Sequence, residues 1–308
     1  MLNRKNIMFL LFLVVFVILF DIIMGMVFRS LYFSEKSMQN DPLIHAVVGT
    51  DEEILVFGSS RAVHHYDPGI LEDSLGKSCY NVGSGGQNIY YHLAILEATL
   101  ERYVPDIAIL ELMTIDFEVT PAQWETEKLG VLLPFYHNSA GVKRAILRRG
   151  SSEKVKNLSS VYSFNSLLYT IFRNNVFPFN NHIKGYIPID DREWKNEIGN
   201  AQDDDTKIDS SKMNTLFEFI QICQSKKIQL HIFISPHFIK TQGGSKYKDI
   251  IKNIKYKFGL EVNNFENHQT FLKDSKLFAD PLHLNSKGAK EYSAIVSRIL
   301  KESVKKPE

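Results

Sequence analysis

Three side chains in this sequence have the types and spacing that nucleophilic acyl chemistry requires. Residues 54–63, "ILVFGSSRAV", run four apolar positions into a glycine and two serines, and residues 278–289, "FADPLHLNSKGA", carry Asp280 and His283 three apart. A serine hydroxyl is a weak nucleophile until a base takes its proton, and the base needs a carboxylate to fix its tautomer. Within one tight turn Asp280 can accept the Nδ1 hydrogen of His283, which leaves Nε2 for the proton of Ser60. Taken alone, Gly58-x-Ser60 also reads as a plain turn or helix cap, and His283 as a surface histidine; the combination carries the reading. A third block, "YNVGSGGQN" (residues 80–88), follows a strand-like run and opens a helix, so its amides can face an anion. Gly83-x-Gly85-x-x-Asn88 misses the third glycine of a dinucleotide loop. An oxyanion hole formed by the N–H groups of Ser60 and Gly86 suits the block better.

These residues need a scaffold that brings strand ends together. Residues 54–57, 78–82, 107–112 and 230–235 read as strands, and residues 260–265 as a weaker fifth. Helical spacing of apolar residues covers 88–103, 211–226, 246–258 and 286–303. Short continuous apolar strands alternating with helices predict an α/β fold, a doubly wound parallel sheet covered on both faces. In such a sheet the turn after the first strand lies at the carboxyl edge, where ligands bind. Residues 117–205 break the alternation and are rich in aromatics, among them Trp124, Phe135, Tyr136, Tyr162, Phe164, Tyr169, Phe172, Phe177, Phe179, Tyr186 and Trp194. So long a stretch without structure does not suit a compact domain, and a helical cap whose core holds most of those aromatics is expected. Asp203, Asp204 and Asp205 lack the spacing of a calcium loop and read as a solvated turn.

The chain has 308 residues and a formal net charge of +1, which argues against a nucleic-acid surface. Cys79 and Cys223 stand far apart without CxxC spacing and read as buried small hydrophobes. His64, His65, His231 and His237 show no metal-ligand spacing, and no metal or cofactor is expected. Residues 7–28 are apolar except for Gly25 and Asp21, long enough to span a bilayer, and follow Arg4 and Lys5. The expected organisation is a membrane anchor over 1–30, a polar tether over 31–53, and an α/β domain over 54–305 interrupted by the cap. An uncleaved anchor would hold that domain on the non-cytoplasmic face. Asp21 either meets a partner helix or lies hydrated near the outer interface.

In the order of its blocks, GxS, then N-x-G-x-x-G from Asn81 to Gly86, then DxxH before the last helix, the chain resembles the SGNH/GDSL hydrolase superfamily. It resembles most the membrane-anchored branch that includes the D-alanyl transfer protein of teichoic-acid synthesis and the alginate O-acetylation proteins. The resemblance covers about residues 50–120 and 225–303. It implies a flavodoxin-like three-layer fold, Ser60 as nucleophile, Gly86 as an oxyanion donor, His283 as general base and Asp280 as its orienting acid. The substrate class implied is an acyl group, foremost acetyl, on a cell-surface glycan or glycolipid. Two departures stand out: Gly-Ser-Ser replaces Gly-Asp-Ser, and Ile115 stands where the family's third block has an asparagine. Either another group, such as Asn88 or a residue of the insert, replaces that amide, or the hydrolase activity is weak. Arg61 has two readings, a salt-bridge partner or a contact for an anionic substrate, and His237 lies at the right edge to approach substrate. The alternative to an enzyme is a non-catalytic partner of a membrane acyltransferase. A lipase-like enzyme acting on the bilayer would instead show an exposed apolar rim on the insert.

Overall fold

The computed structural model describes residues 3–36, 40–190, 192–195, 199–200, 207–240 and 246–304. Five strands, β1 (Ile54–Phe57), β2 (Cys79–Asn81), β3 (Ile107–Glu111), β4 (Gln229–Ile234) and β5 (Val262–Asn264), form one sheet. Its order is β2-β1-β3-β4-β5 and every pairing is parallel. Each of β1, β2 and β3 is buried along its full length, as a sheet covered on both faces requires. The side chains of β1 alternate accordingly: Leu55 and Phe57 enter one apolar cluster, Ile54 and Val56 the other.

Among the described residues, the α-helices of six or more residues are α1 (Arg4–Ser34), α2 (Ser60–His65), α3 (Pro68–Leu75), α4 (Ile89–Leu100), α5 (Ala122–Glu127), α6 (Ala140–Leu147), α7 (Leu168–Val176), α8 (Ser210–Ser225), α9 (Lys246–Phe258) and α10 (Ser286–Val304). The cluster with Leu55 and Phe57 is filled from α4, α8 and α9, including Leu96, Phe219 and Ile254. The opposite cluster takes Leu71 from α3 and Tyr292, Val296 and Leu300 from α10. Two of these helices, α2 and α3, lie between β1 and β2, where the sequence reading placed none. The second has an Asp67 N-cap on the Gly69 N–H, Pro68 in its first turn and Gly76 at its end with φ +67°. Asp203, Asp204 and Asp205 lie outside the described residues.

The region before β1 is not a tether. Residues Asp41–Ile44 and His45–Gly49 are helical, and Ala46 and Val47 are buried in the larger cluster. The insert between β3 and α8 is helical, but its core holds fewer aromatics than expected. Phe135, Tyr136, Phe164 and Tyr186 are buried, whereas Trp124, Tyr169, Phe172, Phe177 and Phe179 are each more than 60% exposed. The remainder of the helical character serves packing: α6 lies on α4, and Ile146 and Val142 are fully buried. The long helix α1 has 31 residues; its first half stands free, and its second half leans on the insert through Gly25 and Tyr32.

Candidate active site

Ser60 is the first residue of α2, directly after the turn that leaves β1. Gly58 makes that turn at φ +141°, and a Cβ there would meet Glu111 Cβ at 2.8 Å and Ala62 Cβ at 2.9 Å, so only glycine fits. As a first-turn residue, Ser60 has a backbone N–H with no intrahelical acceptor. Its Oγ lies 2.8 Å from Nε2 of His283, and Nδ1 of that ring lies 2.9 and 3.0 Å from the two carboxylate oxygens of Asp280. The carboxylate can only accept from Nδ1–H, so Nε2 is the basic nitrogen and takes the Ser60 hydroxyl hydrogen. Ser60, His283 and Asp280, predicted from spacing across 223 positions of chain, thus form one continuous hydrogen-bonded line.

Asp280 is held by more than the ring. Its Oδ1 also accepts the backbone N–H groups of Leu282 and His283, at 2.8 and 3.0 Å. Burial works against its charge, but the His283 ring and those two amides outweigh it and keep the carboxyl below its ordinary range. His64 stands edge-on to His283 with ring centroids 5.5 Å apart, and its Nδ1 donates to the Ile187 carbonyl at 2.8 Å. Burial lowers the His64 pKa, and the neighbouring His283 pushes the same way, so His64 is a neutral wall of the site near neutral pH. Ile187 belongs to a return segment of the insert that straps the site: Asn81 N–H donates to Lys184, Ile187 N–H to Val63 and Ser286 N–H to Ile189.

Behind the triad runs a second, fully buried polar network that spacing in the sequence did not reveal. The Leu284 N–H, next to His283, donates to His65 Nε2 at 2.9 Å. His65 must therefore carry its hydrogen on Nδ1, which donates to Ser235 Oγ at 2.8 Å, and that hydroxyl donates to Glu111 at 2.7 Å. Tyr66 donates to the other oxygen of Glu111 at 2.5 Å, and the Arg61 guanidinium lies 3.4 Å from the carboxylate. Burial raises the Glu111 pKa, while Arg61, Tyr66 and Ser235 pull it back; burial drives the His65 pKa far down and keeps that ring neutral. The network ties the ends of β3 and β4 to the loop that carries the base. A charged residue at the end of an otherwise apolar strand, Glu111, was its only trace in the sequence.

Several expected substrate contacts are occupied elsewhere. Arg61 is 1% exposed, pairs with Glu111 and donates to the carbonyls of Ser235 and Leu112 and to Tyr247 Oη, so it follows the salt-bridge reading and clamps the strand ends rather than meeting an anionic substrate. Asn88 is buried: its Oδ1 caps α4 through the Tyr90 N–H and its amide donates to Glu125 on α5. It cannot supply the missing third-block amide. Ile115 points outward at 59% exposure, and a hydrocarbon side chain donates nothing. His237 is buried beside Glu266 at 3.6 Å, beneath the triad loop, where Phe238 N–H donates to the Pro281 carbonyl. Gly86 occupies an exposed turn at φ +73° between β2 and α4, and a Cβ added at the neighbouring Gly85 would lie 3.9 Å from the Ser60 Cβ. Asn81 secures this loop, donating to the Ala62 and Tyr66 carbonyls and accepting from the Gly83 N–H. Asp116, also unforeseen, follows Ile115; burial raises its carboxyl to about 7 despite Arg61, Lys128 and Lys212 nearby. Among the described residues, no group of three His, Cys, Asp or Glu side chains is arranged to hold a metal ion. No family model matches the chain, and no curated protein matches it.

Proposed function

We propose that the protein is a membrane-anchored serine esterase or O-acyltransferase of the SGNH type, working through an acyl-enzyme on Ser60. The observation that carries this reading is the line from Ser60 Oγ to His283 Nε2 at 2.8 Å and from His283 Nδ1 to Asp280 at 2.9 Å. The strand order β2-β1-β3-β4-β5, with apolar clusters on both faces, supports assignment to the doubly wound, flavodoxin-like class.

The chemistry follows from the geometry. His283 Nε2 takes the hydroxyl proton as Ser60 Oγ bonds to the acyl carbonyl carbon, and Asp280 stabilises the resulting imidazolium. The oxyanion that forms faces the N–H groups of Ser60 and Gly86. The bond to the leaving alkoxide then breaks as Nε2 returns the proton to it, leaving the acyl group on Ser60. Water or a sugar hydroxyl repeats the sequence in reverse, giving its proton to Nε2 and releasing the serine. The acyl substrate on a cell-surface glycan or glycolipid rests on the family resemblance together with α1 as an anchor. The outward-facing Ile115 favours one second reading, a non-catalytic partner of a membrane acyltransferase, because a strong oxyanion site would use a donor there.

The test is p-nitrophenyl acetate turnover by the full chain in detergent, beside Ser60→Ala. Turnover that falls by ~10⁴ or more in the variant supports the acyl-enzyme. Equal rates for the two proteins would remove the nucleophile and leave the partner reading.

A further inference from the structure

The insert departs from expectation in one coherent way: it shows its apolar side chains to the outside on the flank that meets α1. Val155, Leu158, Tyr169, Phe172, Phe177 and Phe179 are 61–80% exposed. Six large exposed side chains within 25 residues, on a segment that contacts an apolar helix, are more than a surface in water requires and mark contact with a partner or a membrane.

The contact with α1 sets the depth of this surface. Asp21 accepts hydrogen bonds from Ser159 Oγ at 2.6 Å, Ser160 N–H at 2.7 Å and Val161 N–H at 3.3 Å. One turn later, Gly25 lies so close to Ser160 that an added Cβ would come within 2.3 Å of the Ser160 Cβ. At 1.5 Å per residue, a hydrocarbon core of about 30 Å that begins at Ile7 ends near Met26. The seat of residues 159–161 on Asp21 and Gly25 therefore falls inside that boundary. The segment preceding the seat then lies at the edge of that core, and the exposed side chains it offers are Val155 and Leu158, with Lys154 and Lys156 long enough to reach the headgroups. The three donors also satisfy Asp21, which explains a carboxylate within the apolar run without a second helix.

Charge agrees with this placement. Between Gly150 and Ile189 the only carboxylate is Glu153, which is buried, while Lys154, Lys156 and Arg173 are exposed beside Val155 and Phe172. Aromatic and aliphatic side chains with neighbouring cations and no exposed acid are the composition of a surface that lies in the headgroup layer of an anionic bilayer.

We infer that the face formed by residues 155–179 is embedded in the membrane leaflet into which α1 emerges, so that the insert is a second, interfacial anchor and not a cap over a free domain. The inference requires α1 to span the bilayer but is independent of the chemistry at Ser60. Its consequence is positional: the exposed apolar residues continue to Ile183, four positions before the Ile187 carbonyl that holds His64 beside His283. The site then opens close to the membrane surface and takes acyl groups presented there.

The test uses the full chain in phosphatidylcholine–phosphatidylglycerol proteoliposomes, with nitroxide labels on Phe12→Cys, Leu158→Cys, Phe172→Cys and Tyr256→Cys taken one at a time. The native Cys79 and Cys223 are buried, so they leave the label to the introduced site. Leu158, Phe172 and Tyr256 are all exposed, and replacement there leaves the fold intact. Labels at 12, 158 and 172 that collide more with oxygen than with an aqueous nickel chelate, against the reverse at 256, support the inference. Lipid contact at 12 with aqueous contact at 158 and 172 overturns it. Aqueous contact at 12 overturns the span of α1 and the inference with it.

Discussion

The carboxyl edge of the sheet and the α1-facing flank of the insert use burial in opposite ways. At the edge, charged and polar groups are taken out of water and each is given a partner: Glu111 alone engages Tyr66, Ser235 and Arg61. On the insert, large apolar groups such as Leu158, Phe172 and Phe177 are left out of the core. The first arrangement is costly unless it fixes something, and what it fixes is the loop carrying His283. The second is costly in water unless something else covers it, and the covering that fits is lipid. One region spends stability on geometry; the other defers its burial to a surface outside the chain.

That contrast can be broken at its strongest point first. Asp280→Asn keeps the shape of the triad but turns a donor toward His283 Nδ1, and kcat should fall by ~10⁴ with little change in KM. His65→Leu tests the buried network. It removes the acceptor of the Leu284 N–H without touching substrate, and misplacement of the base loop should lower kcat by ~10²-fold while KM holds. A proportionate rise in KM instead would mean that the network merely supports the fold. Acid titration of unfolding reads the buried neutral histidines together. Burial drives the His92 pKa down to about 3 and the His231 pKa to about 4, with His65 lower than usual as well. Unfolded chains bind these protons near pH 6.5, so stability present above that pH is lost as it falls, by roughly 2 kcal/mol from His92 alone at pH 5. On the insert, Leu158→Ser with Phe172→Ser should change unfolding in detergent by under ~0.5 kcal/mol, since neither side chain is in the core. Asp116→Asn sharpens the comparison from the other side. Its carboxyl keeps a proton to about 7 in the fold but loses it near 3.8 when unfolded, so the wild type loses stability as pH rises between those values. The gain in Tm from Asn should grow over that interval and then level off.

Much of this architecture was legible in the chain. The range of β1 matches its apolar run residue for residue, and α9 does the same, because a continuous apolar strand and a regular helical period are local properties. The triad was legible for a related reason: Gly58-x-Ser60 and Asp280-x-x-His283 each declare a turn, and a parallel sheet brings such turns to one edge. Glu111, Ser235 and His65 were not, since each is a single polar residue whose meaning depends on three distant elements meeting. Arg61 read as a salt-bridge partner or a substrate contact, and Asn88 as a substrate contact, because sequence does not say that Leu112, Tyr247 and Glu125 reach them first. The aromatics of the insert were misassigned to a core for the same reason. Residue type tells that a side chain avoids water, and only the position of α1 tells where it goes instead.

The central claim, that Ser60 is an activated nucleophile, is tested most directly by intact-mass analysis of the full chain after treatment with a fluorophosphonate. A single adduct mapping to Ser60, formed at least ~10³-fold more slowly in His283→Ala, is the predicted result. An unmodified chain, or an adduct on another serine that His283→Ala leaves unchanged, would contradict it.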